Sequence, residues 1–532
     1  MSEIKYKYTN LDKTEAFSKL QKTVKPSLKE LLTVDRIKEC SIQAGAGLTY
    51  NYSAKAVSEE TVDTLAELAL EQELIQKYMA VLSGERMNTG EDRKVLHQLT
   101  RGQCIAPVTE NGTDIGAFYA EQRQRIADFS DKVHRGEIKG STGKQFDTVV
   151  QIGIGGSDLG PRALYIALEG WAEVNSKSMM DALFISNVDP DDATAVAASI
   201  DPETTLFILV SKSGTTQETL TNQAFVLDII GKTGPAGLVP AKHMIAVTSA
   251  TSPLAKSDNF LDSFYIDDYI GGRYSSTSAV GGAVLSLAFG PDVFDALLAG
   301  AHDADMRALE ADIRMNAALM DAMIGLYERN VLGFPSTAVL PYSQCLSRFP
   351  AHLQQLDMES NGKSVNRDGE PVNYATGPTI FGEPGTNGQH SFYQLLHQGT
   401  DIVPLQFVGF ENSQRGFDLN IDGSSSQTKL NANLAAQITA FALGSDNSNP
   451  NKQFNGERPS SLIHGSDLNP EALGALLAHF ENKVMFQGFA WNINSFDQEG
   501  VQLGKLLTKK LLGDAGDEDT SILQAYFELL NK

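Results

Sequence analysis

Apolar and polar positions along the chain follow two different periods, and the change from one to the other falls near residue 146. Before it, apolar residues recur at helical spacing, most clearly in the segment that begins at Ser58 and ends near Gly84. After it, short apolar runs of strand length alternate with helical patterns. The pattern therefore predicts a mainly helical segment over residues 1–125, followed by an α/β section.

Four apolar runs in the first part of the α/β section have the length of buried strands. Because helical patterns separate them, they predict a parallel sheet covered by helices on both faces. Ligands of such sheets bind beyond the carboxyl ends of the strands. The four runs are Thr148–Ile152, Ala182–Ile185, Thr205–Val210 and Met244–Val247.

A second α/β section follows, in which Ile313–Leu332 predicts a helix. The strand-like runs Ser336–Leu340 and Ile402–Val408 predict a further sheet. The predicted fold class is therefore α/β, with two doubly wound parallel sheets and additional helices at the N- and C-terminal ends.

The two sections predict two domains, one inserted into the other. We expect residues 125–290 to form the smaller domain, which carries the glycine-rich turns. Residues 1–124 and 291–532 would together form the larger domain, with N-terminal helices and a C-terminal helical tail. A chain of 532 residues is long enough for two or three domains with ample cores.

The charge and composition exclude several function classes. Hydrophobic residues make up 42% of the chain, as in ordinary globular proteins, but the formal net charge is -23. So large a negative charge argues against nucleic acid or an anionic membrane surface as a partner. It leaves room for a small anionic ligand held by a few local cations.

The ends of the chain and its cysteines predict a cytoplasmic protein. Cys40, Cys104 and Cys345 are far apart and form no zinc-binding spacing, so they suit a reducing compartment. The N-terminal residues lack the apolar core of a signal peptide. No apolar run approaches the roughly 18 residues that a membrane span requires.

The stretch Ser211–Thr219 combines features of an anion-binding turn. It follows the buried strand Thr205–Val210 and precedes a helical pattern that begins at Leu220. Backbone N–H groups and the positive end of the helix would meet there, surrounded by hydroxyl groups and the Lys212 ammonium. A phosphate would fit this turn. The alternative is an N-capped surface turn rich in Ser and Thr.

A glycine-rich turn follows the strand Thr148–Ile152, and three known motifs fail to match this region. A dinucleotide-binding fingerprint requires glycine where Asp158 stands, and a nucleophile elbow requires glycine two residues after Ser157. A phosphate-binding P-loop fails further on, because Val226 stands in place of its first glycine. What remains is a turn that lets backbone approach a ligand, with Ser157 as a donor, or simply a tight strand-to-helix turn.

Two charged residues are candidates for chemistry. Arg273 follows a glycine pair, Gly271 and Gly272, and presents a planar fork of donors suited to an anion. Glu359 is four residues after Gln355, so on an α-helix the two share a face. Near the negative end of that helix, a positioned carboxylate is what a general base needs. The alternatives are a surface arginine and a solvated glutamate.

Two later segments add further polar candidates. His390 lies where a helix is expected to begin, and its imidazole can exchange protons near neutral pH. Gln498 and Lys505 are seven residues apart, which is two turns on one helix face. By contrast, the charges of Met87–Arg101, taken alone, indicate a solvated helix face.

Taken together, these segments resemble the phosphoglucose isomerase family. Six stretches occur in the family's order, and together with Met87–Arg101 and Lys505 they span most of the chain. Gln502 departs from the family, which usually has Glu there; this puts local packing in doubt rather than the reaction. The six stretches are Ile154–Gly160, Ser211–Thr219, Gly271–Gly281, Asp357–Lys363, Gly385–His390 and Phe496–Val501.

The resemblance implies a reversible aldose–ketose isomerisation of glucose 6-phosphate and fructose 6-phosphate in glycolysis and gluconeogenesis. The reaction would proceed through ring opening and an enediolate. Glu359 would move the proton between C2 and C1, Arg273 would stabilise the enediolate, and His390 would assist ring opening, with Lys505 on the ring-oxygen side. The substrate-binding residues would be Ser211, Lys212, Ser213 and Thr216 on the phosphate, Gly156 and Ser157 on the sugar, and Gly272, Gln355 and Gln498 as further contacts.

The resemblance also implies two sugar-isomerase (SIS) type domains, no metal, no cofactor and a homodimer in which His390 reaches the partner's site. Two alternatives stay open. One is an isomerase of another sugar phosphate such as mannose 6-phosphate, and the other is a non-catalytic sugar-phosphate sensor. A sensor would keep Ser211–Thr216 but would have no need of Glu359, His390 and Lys505.

Overall fold

The structure is a computed structural model that describes residues 6–513 and 520–531. Two sheets organise it, and two short hairpins lie outside them. The strands, in chain order, are β1 (Ser41–Gly45), β2 (Leu48–Asn51), β3 (Thr109–Glu110), β4 (Thr113–Asp114), β5 (Thr148–Ile152), β6 (Asp181–Ile185), β7 (Thr205–Val210), β8 (Met244–Ser249), β9 (Ser263–Ile266), β10 (Ser336–Tyr342), β11 (Thr379–Phe381), β12 (Leu405–Phe410), β13 (Asn420–Ile421), β14 (Ser424–Ser425) and β15 (Ser460–Gly465).

Helices cover both sheets and extend beyond them at the C-terminal end. In chain order they are α1 (Glu15–Leu20), α2 (Leu28–Leu31), α3 (Val34–Glu39), α4 (Glu59–Glu71), α5 (Leu74–Leu82), α6 (Ile115–His134), α7 (Leu159–Val174), α8 (Pro190–Ser199), α9 (Gln217–Thr233), α10 (Ala279–Phe289), α11 (Pro291–Arg307), α12 (Ala317–Asn330), α13 (Phe349–Gln354), α14 (Gly385–Gln389), α15 (Tyr393–Gln398), α16 (Ser426–Leu443), α17 (Pro470–Ala490), α18 (Gln502–Leu512) and α19 (Ser521–Leu530).

The smaller sheet is fully parallel, with the strand order β6-β5-β7-β8-β9. All six residues of β7 are buried, which explains the unbroken apolar run that follows Thr205. The chain runs outward from β5 to β6 and then returns to the other side of β5 to form β7. The carboxyl ends of β5 and β7 therefore flank the point where the winding direction reverses, the usual location of a ligand crevice.

The larger sheet is mixed, with the order β1-β2-β15-β12-β10-β11. Its four strands from the second half of the chain are parallel, whereas β2 pairs antiparallel with β15 and β1. The expectation of a mainly helical segment over residues 1–125 missed this hairpin. The strands are short, and β2 pairs with a strand from the far end of the chain, so no local pattern could identify their partner.

The predicted α/β fold class is confirmed, and so are most of the predicted elements. The four strands predicted in the first section are β5 to β8, and those predicted in the second are β10 and β12, the latter beginning three residues later than expected. The smaller sheet lies within residues 125–290 and the larger one outside them. The domain boundaries themselves stay a prediction.

The segment Met87–Arg101 does not form the solvated helix that its charges indicated. Only the short 3₁₀ helix Gln98–Thr100 occurs there, and His97 and Arg101 are buried. The guanidinium of Arg101 lies 3.0 Å from both carboxylate oxygens of Asp305 and also contacts Glu481. These partners come from distant helices, so the sequence around Arg101 could not reveal that its charge is compensated inside the protein.

The C-terminal helices α18 and α19 contact each other but have no buried residue. Most of their apolar side chains, among them Leu503, Leu506, Ile522 and Tyr526, are exposed. Gln502, the departure from the family pattern, is the exposed first residue of α18 and is not packed into the protein. Among the described residues, no helix is both long and apolar enough to cross a bilayer.

Candidate active site

Two turns lie side by side where the winding of the smaller sheet reverses. The first follows β5 and includes Gly156 and Ser157; the second follows β7 and runs from Ser211 to Thr216. The 3₁₀ segment Gly272–Thr277 packs onto the first turn. A Cβ atom on Gly156 would lie only 2.1 Å from the carbonyl carbon of Gly272. The close backbone approach expected at the first turn therefore involves a second segment of the same chain.

The second turn forms a cup of hydroxyl and N–H groups. The buried hydroxyl of Ser211 donates to Thr216 Oγ1 over 3.1 Å and accepts the N–H of Gly214 over 3.1 Å. Gly214 has a φ of +66°, a left-handed conformation that favours glycine. The side chain of Thr216 makes no capping bond at the start of α9, and Ser213 and Thr215 are exposed at the rim.

Lys212 supplies a cation beside this cup. Its Nζ atom donates to the carbonyl of Ile270 over 3.2 Å and lies 3.9 Å from a carboxylate oxygen of Asp268. Burial lowers the pKa of Lys212, and the nearby Asp268 carboxylate opposes that shift. Because the acidic partner is almost 4 Å away, the ammonium has donors left for an anion in the cup.

Arg273 is almost completely buried and is held on two sides by its own chain. Nε donates to the hydroxyl of Ser360 over 2.6 Å, and Nη2 donates to the carbonyls of Ser495 and Asp497 over 2.6 and 3.0 Å. The remaining nitrogen, Nη1, lies 3.4 Å from Glu359 Oε2. The guanidinium is thus fixed in orientation while one of its edges stays directed at the candidate base.

Gln498 lies on the same open edge of Arg273, with Oε1 3.4 Å from Nη1. Gln498 is exposed and directly precedes the 3₁₀ helix Glu499–Val501, whereas Lys505 lies in α18. The prediction that Gln498 and Lys505 share one helix face is therefore wrong. Short 3₁₀ and α segments follow each other here, so a spacing of seven does not mean two α-helical turns.

Glu359 ends a π-helical turn, Gln355–Glu359, that continues α13. The expectation of an ordinary α-helix with Gln355 and Glu359 on one face is corrected by this wider turn, which rotates the second residue relative to the first. Gln355 still reaches the other sheet: its Nε2 atom would be 3.3 Å from a Cβ on Gly155. The larger sheet therefore supplies side chains that contact the first turn of the smaller one.

Two of the candidate residues have a buried oxygen without a hydrogen-bond partner among the described residues. These oxygens are Oε1 of Gln355 and Oε2 of Glu359, although the latter lies within ion-pair distance of Arg273. An unsatisfied buried acceptor costs about 1–3 kcal/mol, and such groups call for a ligand or water. A molecule that carries hydroxyl groups could satisfy both oxygens between the two sheets.

His390 and Lys505 lie outside this cluster. Both side chains are exposed, and neither makes a hydrogen bond or an ion pair with a residue that the structure describes. The expectation of a helix starting at His390 is wrong, because α14 ends at Gln389 and α15 begins at Tyr393. The structure therefore brings together the candidate residues on the two sheets but leaves these two apart.

Several residues around Arg273 and Glu359 were not singled out from the sequence. They are Ser360, Lys363, Asn494, Ser495 and Asp497. Ser360 and Lys363 belong to the motif that contains Glu359, and Asp497 directly precedes Gln498, so proximity in sequence was the only available signal. In residues 6–513 and 520–531, no group of three or more His, Cys, Asp or Glu side chains could hold a metal ion.

Comparison with known proteins identifies the family. The sequence profile described as "Phosphoglucose isomerase" matches residues 51–524. The chain is 58% identical to the glucose-6-phosphate isomerase of Treponema denticola, over 98% of this chain and 99% of that one. It is 47% identical to the enzyme of the same name from Borreliella burgdorferi, over 99% of each chain.

A solved structure extends the likeness to three dimensions. The crystal structure of a glucose-6-phosphate isomerase from Chlamydia trachomatis superposes with a TM-score of 0.91 at 42% identity. The match covers 98% of this chain and 99% of the chlamydial one. Profile, relatives and structure all cover nearly the full length, and the chain therefore belongs to the phosphoglucose isomerase family.

Proposed function

We propose that this protein interconverts glucose 6-phosphate and fructose 6-phosphate through an enediolate, in glycolysis and gluconeogenesis. The observation that supports this most directly is the pair formed by Arg273 Nη1 and Glu359 Oε2, 3.4 Å apart beside an anion cup. A base, a fixed cation and a phosphate site are the groups that moving a carbonyl between C1 and C2 requires. Three free cysteines suit a reducing cytoplasm as the place where it acts.

Substrate binding begins at the phosphate. Ser211, Lys212, Ser213 and Thr216 would hold it at the start of α9, where hydroxyls and N–H groups converge. The phosphate lies remote from the reacting carbons, so its binding energy serves to hold the open chain in line with the base. Gly156, Ser157 and Gly272 would border the sugar, because the first turn and the 3₁₀ segment pack against each other there.

Proton transfer would belong to Glu359 and charge stabilisation to Arg273. A positioned general base contributes about 10²–10⁴-fold, which is too little alone for a weakly acidic carbon-bound proton. A buried, preorganised guanidinium that faces the developing enediolate supplies a further large contribution, since it need not reorient during the reaction. Gln355 and Gln498 would complete the polar lining.

Ring opening breaks the bond between C1 and the ring oxygen, so the ring oxygen must gain a proton while the C1 hydroxyl loses its proton to water, and a proton carrier beside the ring oxygen is needed. We infer that His390 of a partner subunit supplies it in a homodimer, with Lys505 on the ring-oxygen side. The uncovered apolar side chains of α18 and α19 support a dimer, because an exposed apolar surface calls for a covering partner, and the exposed His390 is accessible to such a partner.

A coupled assay that converts fructose 6-phosphate to glucose 6-phosphate tests the proposal, together with the variant Glu359→Gln. We expect the variant to keep its fold and phosphate binding but to lose nearly all turnover. Exchange of the C2 hydrogen with solvent deuterium measures the proton transfer itself. The matched control is Glu121→Gln on the exposed face of α6, which should leave exchange unchanged.

The outcomes also separate the alternatives. Exchange at the wild-type rate in Glu359→Gln would contradict the assignment of the base. Binding of sugar phosphates without any exchange in the wild type would identify a sensor. Turnover of mannose 6-phosphate in place of glucose 6-phosphate would identify an isomerase of different specificity.

A further inference from the structure

Asp497 lies at the meeting point of three distant segments of the chain. Its Oδ1 atom is 2.9 Å from Lys363 Nζ, and its Oδ2 atom accepts a hydrogen bond from Asn494 Nδ2 over 2.7 Å. The other N–H of that amide donates to Asn88 Oδ1 over 2.9 Å. Both side chains of the Asp497–Lys363 pair are largely buried, with 17% and 16% of their surfaces exposed.

Lys363 connects this carboxylate to the turn that carries the candidate base. Its Nζ atom donates to the carbonyl of Glu359 over 3.1 Å and to the carbonyl of Asp497 over 3.1 Å. The first of these bonds satisfies a carbonyl in the last helical turn, which has no partner further along the helix. The ammonium thereby joins the end of the π-helical turn to the segment around Asp497.

Arg273 is attached to the same segment. The carbonyl of Asp497 accepts from Arg273 Nη2 over 3.0 Å as well as from Lys363. Two cations thus converge on one carbonyl oxygen, and the Asp497 carboxylate is the counter-charge at hydrogen-bond distance from Lys363. Burial lowers the pKa of Lys363, and its bond to Asp497 opposes that shift.

The N-terminal segment closes the cluster from the other side. A Cβ atom on Gly90 would lie 2.6 Å from Asp497 Oδ2, so the backbone there packs directly on the carboxylate. This contact gives part of the charged segment Met87–Arg101 a place beside the candidate site, although the proposed reaction does not use that segment directly. Three segments, around residues 88–90, 359–363 and 494–498, therefore share one buried ion pair.

We propose that Asp497 and Lys363 are positioning residues for the isomerase: their ion pair fixes the carboxylate of Glu359 relative to the guanidinium of Arg273. This inference rests on the proposed function. Without the Asp497 carboxylate, the Lys363 ammonium would compete with Arg273 for Glu359, since its Nζ is already bonded to the Glu359 carbonyl. A displacement of about 1 Å at a reacting group costs on the order of a hundredfold in rate.

The test uses the full-length protein with Asp497→Asn, Lys363→Met and the double variant. Each single substitution should lower kcat tenfold to a hundredfold while KM stays within about threefold. The double variant should lose no more than the worse single variant, because it leaves no unpaired buried charge. Affinity for glucitol 6-phosphate, an open-chain polyol phosphate without a carbonyl, should stay within threefold of the wild type.

Two controls separate positioning from mere stability. Lys55→Met breaks another buried ion pair, in which Lys55 Nζ lies 3.0 Å from Glu328 Oε1, and should lower the melting temperature but not kcat. Lys363→Arg keeps the cation and should retain more kcat than Lys363→Met. The comparison of Lys363→Arg with Lys363→Met still tests the positioning role if Asp497→Asn does not fold.

The results that would overturn the inference are distinct from those that would overturn the function. A wild type without isomerase turnover overturns both. A wild type with turnover, combined with single variants whose kcat stays within twofold, overturns the positioning role alone. Equal losses of kcat in Lys363→Arg and Lys363→Met, or losses in the double variant that multiply, also contradict it.

Discussion

Arg273 illustrates at the scale of one residue how a buried charge is kept available for chemistry. Its guanidinium makes three hydrogen bonds to Ser360, Ser495 and Asp497, so the cost of burial is offset by its own chain. The one edge left over faces Glu359. A guanidinium suits this arrangement better than an ammonium would, because its donors point in fixed directions.

Lys212 is expected to act mainly in binding. A charge-assisted hydrogen bond contributes roughly 1.5–3 kcal/mol, so Lys212→Ala should weaken binding of phosphorylated sugars about ten- to a hundredfold. Titration calorimetry with inorganic phosphate and with a sugar-phosphate inhibitor measures this. Lys232→Ala, at the exposed end of α9, is the control and should bind normally. If the Lys212 variant bound phosphate as tightly as the wild type, the phosphate cup would have to lie elsewhere.

His352 gives the larger domain a sensitivity to acid. Neither ring nitrogen has a hydrogen-bond partner among the described residues, and burial lowers the pKa of His352 to about 4. The pKa of a histidine in the unfolded chain is about 6.5. Between about pH 6.5 and pH 4, His352 is therefore protonated in the unfolded chain but remains neutral in the folded protein. The stability present above pH 6.5 is therefore lost as the pH falls towards 4.

The loss attributable to His352 amounts to about 2 kcal/mol between pH 8 and pH 5. His352→Phe, which fills the site without a titrating group, should flatten this part of the profile. Urea denaturation at both pH values compares the two proteins. An unchanged pH dependence in the variant would mean that His352 is not the group responsible.

The two turns and the π-helical turn show how far local sequence determines an element. Strand β7 was predicted correctly because its last five residues are apolar and all six of its residues are buried. The π-helical turn Gln355–Glu359 was not, because its sequence has the apolar spacing of an α-helix and no local pattern marks the wider turn. The residues of the candidate site that lie within the family-like motifs could be predicted from the sequence. Its supports, such as Ser495 bonded to Arg273 across 222 positions, were not.

Contact between two elements also makes Gly156 irreplaceable. In Gly156→Ala the new methyl group would lie 2.1 Å from the Gly272 carbonyl, so the turn and the 3₁₀ segment must separate. We expect a loss of kcat of at least tenfold together with a lower melting temperature. Gly231→Ala in α9 is the control: nothing lies within 4 Å of its added methyl group. That helix should gain up to about 1 kcal/mol in stability.

At the scale of the whole molecule, the proposed dimer predicts shared active sites. If His390 acts beside the partner's Glu359, each site of an isologous dimer is built from both chains. We expect the inactive variants Glu359→Gln and His390→Ala to complement each other after joint unfolding and refolding. In a hybrid dimer one site carries both lesions and the other carries neither.

Random pairing should then restore about a quarter of the wild-type activity, since half of the dimers are hybrids with one intact site. Native mass spectrometry confirms that hybrids have formed. The control is each variant refolded alone, which stays inactive. Hybrids that form without any gain in activity would show that each site belongs to one chain.

The pairing of β2 with β15 has a consequence for the order in which the chain can fold as it is made. Leu48–Asn51 leaves the ribosome long before its partner Ser460–Gly465 exists. At about 5–20 residues per second, the wait lasts tens of seconds. A two-stranded hairpin alone is marginally stable, so the larger sheet closes only near the end of translation. The smaller sheet, continuous from Thr148 to Ile266, can form earlier, so the phosphate cup can be complete before the chain that carries Glu359 takes its final place.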